Sequence, residues 1–230
     1  MHGLFTHLRL LVAHFLIAIA LLWGLTALPP TACANVIAPG TFNAGPDILT
    51  IPATSTLLAS TSGPLDSATF TANYNENVYQ DGNTGDLDFV IRVQDVSAVA
   101  PFSGLIEEIS TASFAGFTTD VGYSLTNAPS LTAGSALPIS ISRSNAGDTV
   151  SWNFDPSPIE PGQTTALLVI DTNATNFTSG LISAIDAGSA TVTGFGPTAI
   201  PEPTSAILLT GGAYLAFARR PRRNSAANHR

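Results

Sequence analysis

The chain predicts an all-β fold, a two-sheet β-sandwich of about nine or ten short strands. Three observations carry this. Between residues 35 and 200, Thr, Ser, Asn, Gly and Pro dominate, so turn-forming residues recur every few positions. No segment there shows apolar residues at the helical period. Several segments alternate apolar and polar residues, the period of a half-buried strand.

In chain order, strands are expected near Ala68–Ala72 and Glu76–Gln80, then over Leu87–Gln94. There Leu87, Phe89, Ile91 and Val93 point one way while Asp88, Arg92 and Gln94 point the other. Leu105–Ser110, Phe117–Leu125 and Pro138–Ser142 follow. Thr149–Phe154 alternates cleanly, with Val150, Trp152 and Phe154 on the buried side. Ala166–Ile170 is apolar on both faces, which suits a central strand covered twice; Pro161-Gly162 and Asp171-Thr172-Asn173 punctuate its ends. Leu181–Ile185 and Ala190–Phe195 complete the set. The 13 aromatic residues of this body are spread along it, and its 166 residues suffice for one continuous core.

Charge divides the chain into three parts. The 230 residues carry 8 Arg, no Lys and 16 acids, a formal charge of −8. Residues 35–200 hold only Arg92 and Arg143 against 15 acids, whereas residues 1–34 and 201–230 are net positive. No basic patch can be assembled in such a body, which excludes nucleic acid as a partner. All four His (2, 7, 14 and 229) and Cys33 also lie outside it. A Ser-His-Asp triad, a Cys-His pair, a lysine Schiff base and a His-ligated zinc site are therefore unavailable to it. No enzyme activity, cofactor or metal is expected.

Four groups in the body could carry chemistry. Asp81-Gly82-Asn83-Thr84-Gly85-Asp86-Leu87-Asp88 places oxygen donors at alternate positions, as a calcium loop does. Yet Asp86 stands where an EF-hand loop needs Gly and Arg92 where it needs Glu, so a Gly-rich hairpin turn is the leading reading. Glu76, Glu107, Glu108 and Glu160 could supply a glycosidase pair, but adjacent Glu107 and Glu108 in a strand face opposite ways. Tyr74 and Tyr79, among Asn73, Asn75 and Asn77, are candidates for stacking on sugar rings; Trp152 is assigned to the core. Asn173 and Asn176 fit the Asn-x-Thr sequon and are read first as turn residues.

The two ends carry transport signals. Residues 1–34 have a short start with Arg9, an apolar run from Leu10 to Leu28, and Ala32-Cys33-Ala34. That is a secretory signal recognised by the translocon and cut by signal peptidase after Ala34, with Ala32 and Ala34 as the small residues of the site. The apolar run of about 19 residues is also long enough to remain as an uncleaved anchor. Cys33 is a lipidation candidate, against which Pro30 argues.

At the other end, Pro201-Glu202-Pro203 precedes an apolar stretch, 206–218, and then Arg219-Arg220-Pro221-Arg222-Arg223. Thirteen helical residues rise about 20 Å, short of the ~30 Å hydrocarbon core, so this transmembrane helix is a weak anchor. Its Arg cluster should stay cytoplasmic, leaving 224–230 inside and the body outside. An ordinary tail anchor would share the helix and the charge, though not Pro201-Glu202-Pro203.

In order, spacing and charge, residues 200–223 closely resemble the PEP-CTERM sorting signal of Gram-negative bacteria. The resemblance implies recognition by an exosortase, with processing near Pro201-Glu202-Pro203, and a destination at the cell surface or in the exopolysaccharide layer. Residues 117–123 and 161–175 are loosely similar to stretches in other such exported proteins and bring no activity. The expected organisation is a signal peptide (1–34), an exported β-sandwich (35–199), a sorting signal (200–223) and a tail (224–230). The expected function is that of a non-enzymatic structural protein of the cell surface or biofilm matrix, held at the inner membrane only until processed, with exopolysaccharide as a candidate contact. The alternative is an extracellular carbohydrate- or calcium-dependent binding module.

Overall fold

The structure, a computed structural model, describes residues 36–199; the segments expected to act as signal peptide, sorting signal and tail lie outside them. Twelve strands form two six-stranded sheets, with no helix among the described residues. In spatial order the first sheet holds β2 (Asp47–Ile48), β7 (Thr119–Ser124), β10 (Leu167–Thr172), β5 (Leu87–Ala98), β4 (Phe70–Gln80) and β3 (Thr56–Pro64). The second holds β1 (Phe42–Asn43), β8 (Ser140–Arg143), β9 (Val150–Asn153), β6 (Glu108–Thr111), β11 (Phe177–Ile185) and β12 (Ser189–Pro197). Every pairing is antiparallel except the two-residue contact of β2 with β7.

The alternation of β5 does what its period requires. Leu87, Phe89, Ile91 and Val93 join a core shared by both sheets, with Leu168 and Ile170 beside them and Ile109, Ile141, Val150, Trp152 and Ile182 opposite. Such burial is the dominant favourable contribution, roughly 1.5–3 kcal/mol for each large apolar side chain. Phe89 meets Phe114 edge-to-face at 5.4 Å between ring centroids. Trp152 is fully buried, as expected for a core residue, and its Nε1–H donates to the Gly122 carbonyl at 2.9 Å.

The doubly apolar β10 lies between β7 and β5 and is covered on both faces. Leu167 and Val169 point away from the shared core into a second, smaller one with Tyr79, Val90, Leu49, Ile51, Ala128 and Leu131. The segments 49–51 and 128–131 thus roof the outer face of the first sheet.

Two differences from the expected strand list have physical causes. The segments Ala68–Ala72 and Glu76–Gln80 are one strand, the eleven-residue β4. Asn73, Asn75 and Asn77 look like a turn between them, but all three sit on the outer side of β4, where amides are tolerated; Asn77 Nδ2 donates to Tyr79 Oη at 2.7 Å. Strands β1, β2 and β3 have no counterpart in the expected list. The first two are two residues long, and β3 is a sheet-edge strand rich in Ser and Thr without a residue that is fully buried.

Candidate functional site

Strand register assembles the acids into a row. Asp171 on β10 is the direct partner of Asp88 on β5 and of Asp120 on β7. Directly paired residues of adjacent strands share a face, so these three carboxylates line up on the outer face of the first sheet, at the end of the second core. Their strands are locked in place there. Thr172 Oγ1 donates to the Leu87 carbonyl at 2.7 Å and Leu87 N–H to the Ala174 carbonyl at 2.9 Å.

A fourth acid comes from the β4–β5 connection, residues 81–86, which is the Gly-rich hairpin turn expected from its sequence. Asp81 Oδ1 accepts from Thr84 N–H at 3.0 Å and the Asp81 carbonyl from Gly85 N–H at 2.9 Å, and Gly85 takes a φ of +83° that suits glycine. Gly82 packs so closely on Thr54 that a Cβ would collide with it. The turn is therefore seated on the segment that leads into β3, and Asp81 is held beside the row. One carboxylate oxygen from each of Asp81, Asp88 and Asp171 lies within 4.8 Å of the others.

Electrostatically the row is uncompensated. Asp88 is 2% exposed, and its Oδ1 has no hydrogen-bond partner; Asp120 is 7% exposed and its Oδ1 has none either. Burial first, then the hydrogen bond and charge of Asp171, push the Asp88 carboxyl far above the usual carboxylate range. Burial and the charges of Asp171 and Asp47 push Asp120 up to about 6. Asp86 rises for the same reasons, burial leading and the Asp171 and Asp81 charges following. Neither arginine of the body serves the row. Arg143 is buried and spends its guanidinium on the carbonyls of Gly147, Ile37, Phe114 and Phe117, while Arg92 Nη1 reaches Asn75 Oδ1.

The other sequence candidates are not brought together. Tyr74 and Tyr79 are 6% and 0% exposed, which removes them as an open sugar platform: both rings are wanted for packing. The Tyr74 hydroxyl donates to the Thr193 carbonyl at 2.9 Å and that of Tyr79 to the Pro129 carbonyl. Glu76 is sealed between the sheets, accepting from Phe195 N–H at 2.7 Å, and cannot belong to an open cleft. Burial drives its carboxyl up to about 8, the Phe195 bond opposing only in part. Glu107 and Glu160 are exposed and Glu108 is half-buried. Asn173 lies in a bend after β10, in keeping with the turn expected there, and its Oδ1 also accepts from Thr118 N–H at 2.9 Å, a contact made 55 residues away.

Asp171 and Asp120 are the site residues that local reading misses. Asp171 reads as a turn residue and Asp120 as one polar position within an expected strand, and only the pairing of β10 with β5 and β7 brings them to Asp88. Comparison with protein-family models, with curated proteins and with solved structures finds no match. The residues singled out for sorting, Pro201, Glu202, Pro203, Arg219, Arg220, Arg222 and Arg223, and the cleavage residues Ala32 and Ala34, lie outside the described residues.

Proposed function

We propose that the chain is an exported, non-enzymatic structural protein of the cell surface or extracellular matrix, sorted by an exosortase through its C-terminal signal. The observation that carries this reading is the order Pro201-Glu202-Pro203, short apolar stretch, Arg219-Arg220-Pro221-Arg222-Arg223. A proline-flanked acid, a stretch too short to be a durable anchor and a cluster of positive charge have no shared reason to coincide in a folded domain. The flanking helices of the predicted architecture, a signal helix before the β-sandwich and a transmembrane helix after it, belong to this proposal.

The body is suited to such a destination in three respects. Its charge, 15 acids against two arginines, keeps copies apart in solution by mutual repulsion. It has no cysteine to be oxidised outside the cell. Its surface offers Thr, Ser and Asn, small polar side chains that hydrogen-bond water and sugar hydroxyls alike. Replacing Pro201-Glu202-Pro203 by three alanines tests the sorting step. The variant is expected to accumulate in the inner-membrane fraction while the unaltered chain reaches the surface or medium; identical fractionation of the two would contradict it.

A further inference from the structure

We propose that Asp81, Asp88 and Asp171 form a calcium site that ties the β4–β5 turn to β10. This goes beyond the sorting reading and does not depend on it. One carboxylate oxygen from each residue lies within 4.8 Å of the other two, close enough for all three to share one ion at calcium–oxygen distances of about 2.3–2.6 Å. Calcium accepts several carboxylates in irregular geometry, whereas magnesium demands a near-ideal octahedron and keeps most of its waters. The donors are oxygen throughout; residues 35–200 contain no His or Cys, so zinc and copper have no preferred ligand there.

Acids crowded together are not in themselves a site, and the independent observation is Asp88. It is 2% exposed, faces Asp81 and Asp171, and leaves Oδ1 without any hydrogen-bond partner. A buried carboxylate oxygen with no donor is costly unless a cation or a donor answers it. Asp120, the register partner of Asp171, repeats the pattern one strand further along. Neither arginine of the body bonds to these acids: Arg143 is spent on backbone carbonyls, and Arg92 reaches only Asn75 while its buried Nε has no partner, so no side-chain cation among the described residues fills that role.

The site is not a linear calcium loop. Asp81 and Asp88 flank one turn, while Asp171 arrives from a strand 83 residues later in the chain, which is why the loop pattern fails at its sixth and twelfth positions. An ion there cross-links the hairpin to the sheet centre. Other buried acids qualify less well: Asp95 also lacks partners on both oxygens but has only Asp186 near it, and Glu76 has no second carboxylate.

The test uses the purified full-length chain, stripped with a chelator. For an extracellular-type affinity, 10 mM calcium is expected to raise the melting temperature by roughly 3–10 °C. Magnesium at the same concentration should give less than a third of that. Asp88→Asn and Asp171→Asn should each abolish the shift, while Asp186→Asn keeps it. Should the two site variants fail to fold, terbium titrated into the unaltered chain decides, since Tyr79 is the strand neighbour of Asp88 and can sensitise its luminescence. Saturation at one ion per chain, reversed by calcium, supports the site. No calcium-dependent melting shift, a shift that survives in both variants, or no saturable terbium signal overturns it.

Discussion

Glu76 and Arg143 are charged residues placed where the fold cannot hydrate them, and each is handled differently. Arg143, 4% exposed, replaces water with four backbone carbonyls, each at 2.8–3.1 Å. Those carbonyls come from 37, 114, 117 and 147, so one guanidinium gathers the start of the fold and two connections around β8. Glu76 instead keeps its proton. Its Oε1 has no partner, and Gly194 opposite leaves the space a Cβ would otherwise take from the carboxylate. Because the carboxyl is pushed up to about 8 from 4.5, the native state holds a proton that the unfolded chain releases. Its stabilisation is complete below pH ~4.5 and is lost as pH rises through about 8. Glu76→Gln keeps the bond to Phe195 and removes the titration. Between pH 5 and 8 the unaltered chain should lose roughly 3 kcal/mol more stability than the variant, read from denaturant midpoints at each pH. Parallel pH profiles for the two would show that Glu76 titrates normally.

At the scale of elements, legibility followed burial. Strands with a buried face announce themselves: the alternation of Leu87–Val93 and Val150–Phe154, and the unbroken apolar run of Leu167–Ile170, each correspond to an observed strand with the expected faces inward. Strand β3 does not, because an edge strand with exposed sides has no reason to alternate. Leu57 and Leu58 lie at its start, 38% and 45% exposed. The asparagines of β4 mislead for a related reason: on one face of a strand they look like a turn only when the other face is ignored. The contrast gives a prediction. Val169→Ala, beneath the roof segments, should cost about 2 kcal/mol, and Leu58→Ala should cost less than about 0.5 kcal/mol. Equal losses in urea unfolding would mean that the 49–51 and 128–131 segments do not cover β10.

For the molecule as a whole, what sequence could and could not disclose separates by range. The turn at 81–86 was legible, since glycine and Asp occupy it for local reasons. The acid row was not, because Asp88, Asp120 and Asp171 are joined by strand order, a property of the finished sheets. The burial of Tyr74 and Tyr79 is hidden from local reading for the same reason: their hydroxyls are answered by the carbonyls of Thr193 and Pro129, far along the chain. The proposed transport signals are the reverse case, since linear motifs of this kind are read without any fold.

The destination is accordingly the claim most exposed to a single measurement: mass spectrometry of both termini of the mature protein recovered from its own host. The expected chain begins at Asn35 and ends close to Pro203, without the apolar stretch 206–218. A mature chain that still ends in Arg230, with residues 206–223 intact, would contradict the proposed sorting and the role that follows from it.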